Sequence, residues 1–359
     1  MMARTRIGVD VGSTAVRVAE VAVGDIPVVV RAAQVPLAPG VVESGEVRQP
    51  EAVAEALRKV WAKSGVKSKR VHLGVANERV VVREIALPWL PEKELRDTLA
   101  FQVQEFIPMA SDEVVLDFDP LGELDQGGRR MVRILLVAAH KGMVNALVEA
   151  ALAAELDPQD IDLTPFAVIR AVGTGDEGLD LDSSGEEAII DIGAQVTSIC
   201  VHDRGVTRFV RMLPSGGRDI TLALASGLGV DDDVAERLKR GVRVQVDGEG
   251  ATPLPEAAEI RGLALTRAES FVAEVRSSLE FYTALMPNAQ IGGVLVVGGG
   301  SRLDGLLELL QERLPVPVDR GRLFERVKSE VELSAEASTE AEAVLSVAVG
   351  LAIPTWRPA

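Results

Sequence analysis

Two carboxylates, Asp10 and Asp191, hold the same place in two near-copies of one pattern. These are Ile7-Gly8-Val9-Asp10-Val11-Gly12-Ser13-Thr14 and Ile189-Ile190-Asp191-Ile192-Gly193-Ala194-Gln195-Val196-Thr197. Each is an apolar run ending in Asp, a glycine-containing turn, and a second alternating apolar run, which reads as a hairpin of buried strands. Such a turn offers backbone N–H groups, at Gly12, Gly193 and Gln195, and hydroxyls, at Ser13, Thr14 and Thr197, to phosphate oxygens. Asp10 and Asp191 at opposed tips suit a phosphate-bound Mg²⁺, directly or through water, because hydrated Mg²⁺ asks for only one or two carboxylates. Turn-forming Asp in two ordinary hairpins is the competing reading.

A third element supplies another wall. The β-branched run Val294-Leu295-Val296-Val297 leads into Gly298-Gly299-Gly300-Ser301, then into a helical pattern carrying Leu303, Leu306, Leu307, Leu310 and Leu314. Three glycines between strand and helix permit positive φ and close approach of a flat ligand such as adenosine. Either hairpin or the glycine run alone is as often structural, and it is the three together, in this order, that point to a nucleotide. Other phosphate motifs are absent: no Gly-Lys pair exists for GxxxxGK[ST], and Leu303 occupies the last glycine position of GxGxxG.

These elements must be positioned by something large. The chain has 359 residues, 47% of them hydrophobic, enough for two domains with sizeable cores. A net charge of −16 argues against nucleic acid and against direct adhesion to an anionic membrane. Cys200 is the sole cysteine, so no internal disulfide forms. Met1 to Arg6 runs into the first strand without an apolar leader, and the uncharged stretch Ala343 to Thr355 is too short to span a bilayer. A cytosolic protein is expected.

Periodicity predicts a helix over 51–63, strands over 71–75 and 80–85, a helix over 91–106, strands over 113–118 and 131–138, and helices over 141–155 and 163–172. An acidic linker covers 174–187. Beyond it come helices over 219–227 and 231–239, a strand fragment and loop over 241–258, a long helix over 263–285 and a closing helix over 345–353. Asp231-Asp232-Asp233 reads as helix capping. His72, His140 and His202 read as structural, and Arg17 as a surface charge.

With these motifs the chain resembles the actin, DnaK-type chaperone and sugar kinase superfamily. The resemblance implies an α/β, actin-like ATPase fold: two duplicated ribonuclease H-like domains with small inserted subdomains around an interdomain nucleotide cleft. Domain I would comprise 1–86 and 156–180 with an insertion at 87–155. Domain II would comprise 181–213 and 290–343 with a helical insertion at 214–289, and 344–359 would close back on domain I. The implied ligands are ATP and Mg²⁺, held by Asp10, Gly12, Ser13, Thr14, Asp191, Gly193, Gln195, Thr197, Gly298, Gly299, Gly300 and Ser301, with Asp10 and Asp191 toward the metal. Bacterial actin relatives hold the adenosine with a Glu and a Lys three residues on. Glu236 and Lys239 match that spacing, with a plain surface pair as the alternative. The water-orienting Glu of the chaperones aligns with Thr164, whose hydroxyl is a poor base. Asp162 nearby is the substitute, and at most a weak ATPase is implied.

Finer resemblance is to the PilM family of type IV pilus assembly proteins, FtsA-like members of this superfamily. It rests on Ile7 to Ser13, Leu87-Pro88 through Leu95, Phe106-Ile107-Pro108, Leu116-Asp117-Phe118 and Ser215-Gly216-Gly217-Arg218-Asp219-Ile220-Thr221. That implies a cytoplasmic adaptor, peripheral to the inner membrane only through its partner. The partner would be the cytoplasmic N-terminal tail of a PilN-like membrane protein, gripped between domain I and its insertion. Contacts with pilus motor ATPases and self-association stay open. The alternatives are an FtsA-like filament-forming cytoskeletal protein and a small-molecule kinase.

Overall fold

The computed structural model describes residues 4–173, 185–242, 256–286 and 288–355. The chain opens with β1 (Thr5–Val11), β2 (Ala15–Ala22) and β3 (Val28–Pro36), then a small hairpin, β4 (Val42–Glu43) and β5 (Glu46–Val47). Helix α1 (Pro50–Ser64) follows, with Pro at its first position, where the missing N–H costs nothing, and Gly65 in the left-handed conformation ending it. Its buried stripe Val53, Leu57, Val60 and Trp61 covers the sheet, which β6 (Arg70–Val75) extends.

Next come β7 (Val81–Pro88), α2 (Glu92–Gln102), β8 (Val114–Gln126) and β9 (Arg129–His140), with the three strands forming a sheet of order β7-β9-β8. Leu95 and Leu99 of α2 pack on Ile85, Phe118, Ile134 and Leu136, a core separate from that of the first sheet. α2 stops at Gln102, short of the expected 106, with Val103 and Phe106 turning back into the same core. Helix α3 (Lys141–Ala153) does not belong to this unit. Its Met143, Leu147 and Ala150 enter the core with α1 and β6, while the three-stranded sheet runs over 81–140.

β10 (Asp157–Leu163) and α4 (Thr164–Val172) complete the first half. β10 went unseen in the sequence because Asp157-Pro158-Gln159-Asp160 carries no apolar alternation, its side chains lying at a half-exposed sheet edge. The expected linker lies largely outside the described residues, and β11 (Glu186–Ile192) takes up its last two positions.

The second half repeats the plan. β11, β12 (Thr197–Asp203) and β13 (Val206–Leu213) are antiparallel. They are followed by α5 (Gly217–Leu228), α6 (Asp232–Lys239), α7 (Ala257–Leu285) and β14 (Ile291–Val297). A 3₁₀ turn at Gly299–Arg302, α8 (Leu306–Arg313), β15 (Val318–Arg320), α9 (Leu323–Arg326) and β16 (Lys328–Ser329) precede α10 (Ala335–Ala352). Most of the loop expected over 241–258 lies outside the described residues.

The sheets have the same strand order, β3-β2-β1-β6-β10 and β13-β12-β11-β14-β15, with β16 added beside β3. In each, the first three strands are antiparallel and the last two join in parallel. α10 closes the molecule by packing on β1, β2 and α4. It starts at Ala335 rather than Leu345, because its first turns are mostly solvated and lack an apolar stripe.

Candidate nucleotide cleft

The two hairpin turns are built alike. Gly12 N–H donates to the Ala15 carbonyl at 3.0 Å, and Gly193 N–H to the Val196 carbonyl at 3.0 Å. Each follows the C-terminal end of a central strand, so the topology brings Asp10 and Asp191 to facing edges of one cleft. Across the first hairpin, Asp10 pairs in register with Arg17, whose Nη1 donates to Asp10 Oδ2 at 2.9 Å. Arg17 is therefore a residue of the cleft, not a surface charge, and the register of the hairpin is the signal that could have found it. The equivalent partner of Asp191 is Ser198, which also lines the cleft.

This asymmetry sets the electrostatics. Burial raises the Asp10 carboxyl, against the charge and hydrogen bond of Arg17. Burial raises Asp191 too, the Asp10 charge adds to it, and Arg17 opposes only by charge, so Asp191 is pushed up to about 7. A bound cation would relieve both.

Beside Asp191, at the end of the neighbouring strand β14, lies the glycine turn. Gly298 has φ +85°, and a Cβ there would fall on Asp191 Oδ1 and the Ile192 backbone. At Gly299 a Cβ would find only Val344 Cγ1, at 3.7 Å. Ser301 Oγ donates to the Gly298 carbonyl at 2.7 Å, and Ser301 is buried away from the cleft lining, so it fastens the turn instead of touching a ligand. Glu236 and Lys239 line the cleft as part of a network. Lys239 Nζ reaches Glu236 Oε2 at 2.5 Å, the Thr221 hydroxyl at 2.8 Å and the Gly217 carbonyl at 2.9 Å, while the Thr221 hydroxyl donates to Glu236 Oε2 at 2.5 Å. Burial works against the Glu236 charge, but Lys239 with the hydrogen bonds holds that carboxyl below its ordinary value. Burial in turn lowers Lys239, against the pull of Glu236. Thr221 was missed because a lone Thr on a helix gives no signal until the helices pack.

The cleft holds about 730 Å³, within the usual range of ligand sites. Asp10, Gly12, Ser13, Thr14, Asp191, Gly193, Gln195, Glu236, Lys239 and Gly298 to Gly300 all line it, with Arg218 and Arg302 in addition. Thr197 does not: it is fully buried, and its hydroxyl donates to the Ser215 carbonyl at 2.8 Å. Thr164, first residue of α4, lines the cleft, with its methyl group against Gly74. Asp162 is not in the lining; Arg170 Nη2 donates to its Oδ2 at 2.5 Å, and the carboxylate accepts Leu163 N–H at 2.7 Å. Already committed to that pair, it is no substitute base. The lining fits a magnesium nucleotide, with two carboxylates near strand ends, the Ser13 and Thr14 hydroxyls, and a glycine floor that tolerates no side chain at Gly298, whereas the Gly12 and Gly193 N–H groups expected to meet phosphate are engaged inside their own turns. Among the described residues no group of three or more His, Cys, Asp or Glu forms a cation cage, so Mg²⁺ here would keep water and phosphate ligands.

Duplicated five-stranded sheets of this order, with the cleft between them, define the class as the actin-like ATPase fold. Solved structures agree: EutJ of Carboxydothermus hydrogenoformans (TM-score 0.56, 17% identity, covering 98% of this chain and 89% of that one) and MreB5 of Spiroplasma citri bound to ADP (0.53, 13%, 98% and 95%) share this fold. Residues 8–356 match the family described as type IV pilus assembly protein PilM, and the chain belongs to that family. A solved PilM–PilN type IV pilus biogenesis complex is similar over 98% of both chains, with TM-score 0.81 and 28% identity. The cell division protein FtsA of Bacillus subtilis (strain 168) is 26% identical over 262 residues, 69% of this chain and 56% of that protein. FtsA of Neisseria meningitidis serogroup B is 25% identical over 274 residues, 70% and 62%. The matches thus span just over half of these relatives' length. No helix among the described residues is long and apolar enough to cross a membrane.

Proposed function

We propose that this protein is an ATP-binding adaptor of type IV pilus assembly. Mg²⁺-ATP sits between the domains, with phosphates on the turns after Asp10 and Asp191 and adenosine between the Gly298 turn and the Glu236–Lys239 network. The observation that carries this reading is the paired turns closing on the glycine floor. A bound Mg²⁺ would neutralise phosphate charge beside the two carboxylates. The chain's own groups bind and orient the phosphates, and Thr164, at the position that the resemblance gives to the water-orienting residue, is a poor base. Hydrolysis is accordingly slow, and the site acts as a clamp on domain closure.

The partner is the cytoplasmic N-terminal tail of a PilN-like membrane protein, held between domain I and the insertion, which brings an otherwise cytoplasmic protein to the inner membrane. Similarity along the whole chain to one member of a PilM–PilN complex supports that partner. Calorimetry with a synthetic tail peptide tests it: tail affinity depends on Mg²⁺-ATP, and ATP affinity changes by the same factor when the tail is bound. The insertion can be excised, because Val81 and Ala138 are paired neighbours and a short linker joins β7 to β9 there while α3 stays. Undiminished tail binding by the folded, excised chain refutes the grip.

A further inference from the structure

The β4–β5 hairpin reaches across the cleft at one point. Its tip residues Ser44 and Gly45 both have positive φ, +49° and +81°, the combination of a tight I′ hairpin turn. A Cβ at Gly45 would collide with the Ala76 carbonyl, so the tip is wedged against the loop that precedes β7. Glu46 fastens the same two segments, pairing with Arg48 at 2.9 Å and with Arg79.

From this tip a chain of hydrogen bonds leads in two directions. Ser44 N–H donates to Gln195 Oε1 at 2.9 Å, and the Ser44 carbonyl accepts Asn77 Nδ2 at 2.5 Å. Asn77 is buried; its N–H donates to Met212 Sδ at 3.0 Å, its Oδ1 accepts Arg79 N–H at 2.8 Å, and its carbonyl accepts Val80 N–H at 3.0 Å. β7, the first strand of the insertion, starts at the next residue. At the other end, Gln195 sits inside the second turn, between Gly193 and Val196, and lines the cleft. Since Oε1 accepts from Ser44, the second end of that amide is the Nε2 donor, and no group among the described residues accepts from it.

We propose that Gln195 is a phosphate-reporting residue: its Nε2 donates to a nucleotide phosphate oxygen while its Oε1 holds Ser44, so that occupancy of the cleft sets the order of the Ser44–Asn77 segment and the root of the insertion. The proposal rests on the nucleotide reading of the cleft. It needs no movement of the domain cores, because an amide fixed at one end by phosphate loses rotamer freedom and holds its other partner more firmly. Gln195 positions; it takes no part in bond cleavage.

Hydrogen exchange of the full chain, with and without Mg²⁺-ATP, tests it. Exchange at Ser44, Asn77, Arg79 and Val80 should slow by roughly tenfold on nucleotide binding, the scale of an ordinary coupling. Gln195→Leu, which keeps the bulk and removes both amide groups, should erase that difference. Asn77→Ala lies outside the nucleotide contacts. It should keep Mg²⁺-ATP affinity within about threefold, on the same scale of coupling, keep protection at Ser44, and lose it at Arg79, whose N–H donates to the Asn77 Oδ1 that the variant lacks. Absence of Mg²⁺-ATP binding to the wild type overturns the nucleotide reading and the relay with it. Normal binding without a change at these amides, or an equal change in Gln195→Leu, overturns the relay alone.

Discussion

Replacing Asp191 by Asn should make the nucleotide-free protein more stable at alkaline pH while removing its hold on Mg²⁺-ATP. Asp191 is pushed up to about 7 from 3.8. Below about pH 4 the carboxyl is protonated in the folded and unfolded chains alike. As pH rises toward 7 the unfolded chain sheds its proton first, so the folded state loses stability across that window. A shift of about three units sets a ceiling near 4 kcal/mol. Partial exposure of the side chain brings the expected effect to about 2 kcal/mol, of which roughly two-thirds develops between pH 5 and pH 8. For a domain of this size that is a gap of about 3–6 °C in melting temperature, Asn above Asp, opening over this pH interval.

Differential scanning of wild type and variant without nucleotide, at pH 5 and pH 8, measures the gap directly. Calorimetry should show Mg²⁺-ATP affinity in Asp191→Asn falling by at least about tenfold, as expected when one of two carboxylates near the ion is lost. A gap that is the same at both pH values would show that the Asp191 carboxyl is not strained by burial and by Asp10. The electrostatic account of the cleft would then be wrong.

Three further outcomes follow from the geometry. Gly298→Ala should abolish nucleotide binding and lower stability by about 2–4 kcal/mol, from positive φ and collision with Asp191, whereas Gly299→Ala should change stability by less than about 1 kcal/mol, which paired melts would show. Lys239→Met should weaken ATP binding by about tenfold and cost about 1–3 kcal/mol, because Glu236 then keeps its charge with one cation fewer; calorimetry and denaturation check it. Thr164→Glu places a carboxylate in the apolar part of the cleft and should raise ATP turnover at least tenfold, from a wild-type rate well below the ten per second of an ordinary enzyme. A phosphate-release assay on both proteins decides.

Much of the architecture was legible because two signals survive in the chain itself. Apolar runs in central strands such as Ala188–Ile190 and Val294–Val297 announce themselves, and turn glycines with neighbouring Asp mark where the hairpin strands end. The first half of α10 and the whole of β10 carried no such pattern, since one is largely solvated and the other is a half-exposed edge. Within the site, residues inside the turn motifs were legible and other cleft residues were not, even Ser198 and Arg302, which directly follow a motif residue. Arg17, Ser198, Thr221 and Arg302 reach the cleft through register or helix packing, whereas Thr197 and Ser301 carry motif hydroxyls that the fold spends on its own carbonyls.

That last contrast bears on what the duplication has become. In the first turn the cross-strand partner of the Asp is Arg17, and in the second it is Ser198, so one copy is neutralised from within and the other leaves its carboxyl unrelieved. With both carboxyls raised by burial and only Asp10 hydrogen-bonded to Arg17, such a site gains most from a bound cation on the domain II side, where Gly298 allows ligand and Asp191 to approach. Nucleotide binding, as proposed, would relieve strain that comes first from the burial of Asp191 and second from the Asp10 charge facing it. Binding and closure are therefore linked through one interaction. An enzyme would spend such binding energy on a transition state. On the proposed reading, this cleft would instead direct it to holding the two domains and the insertion in one arrangement, which suits an adaptor.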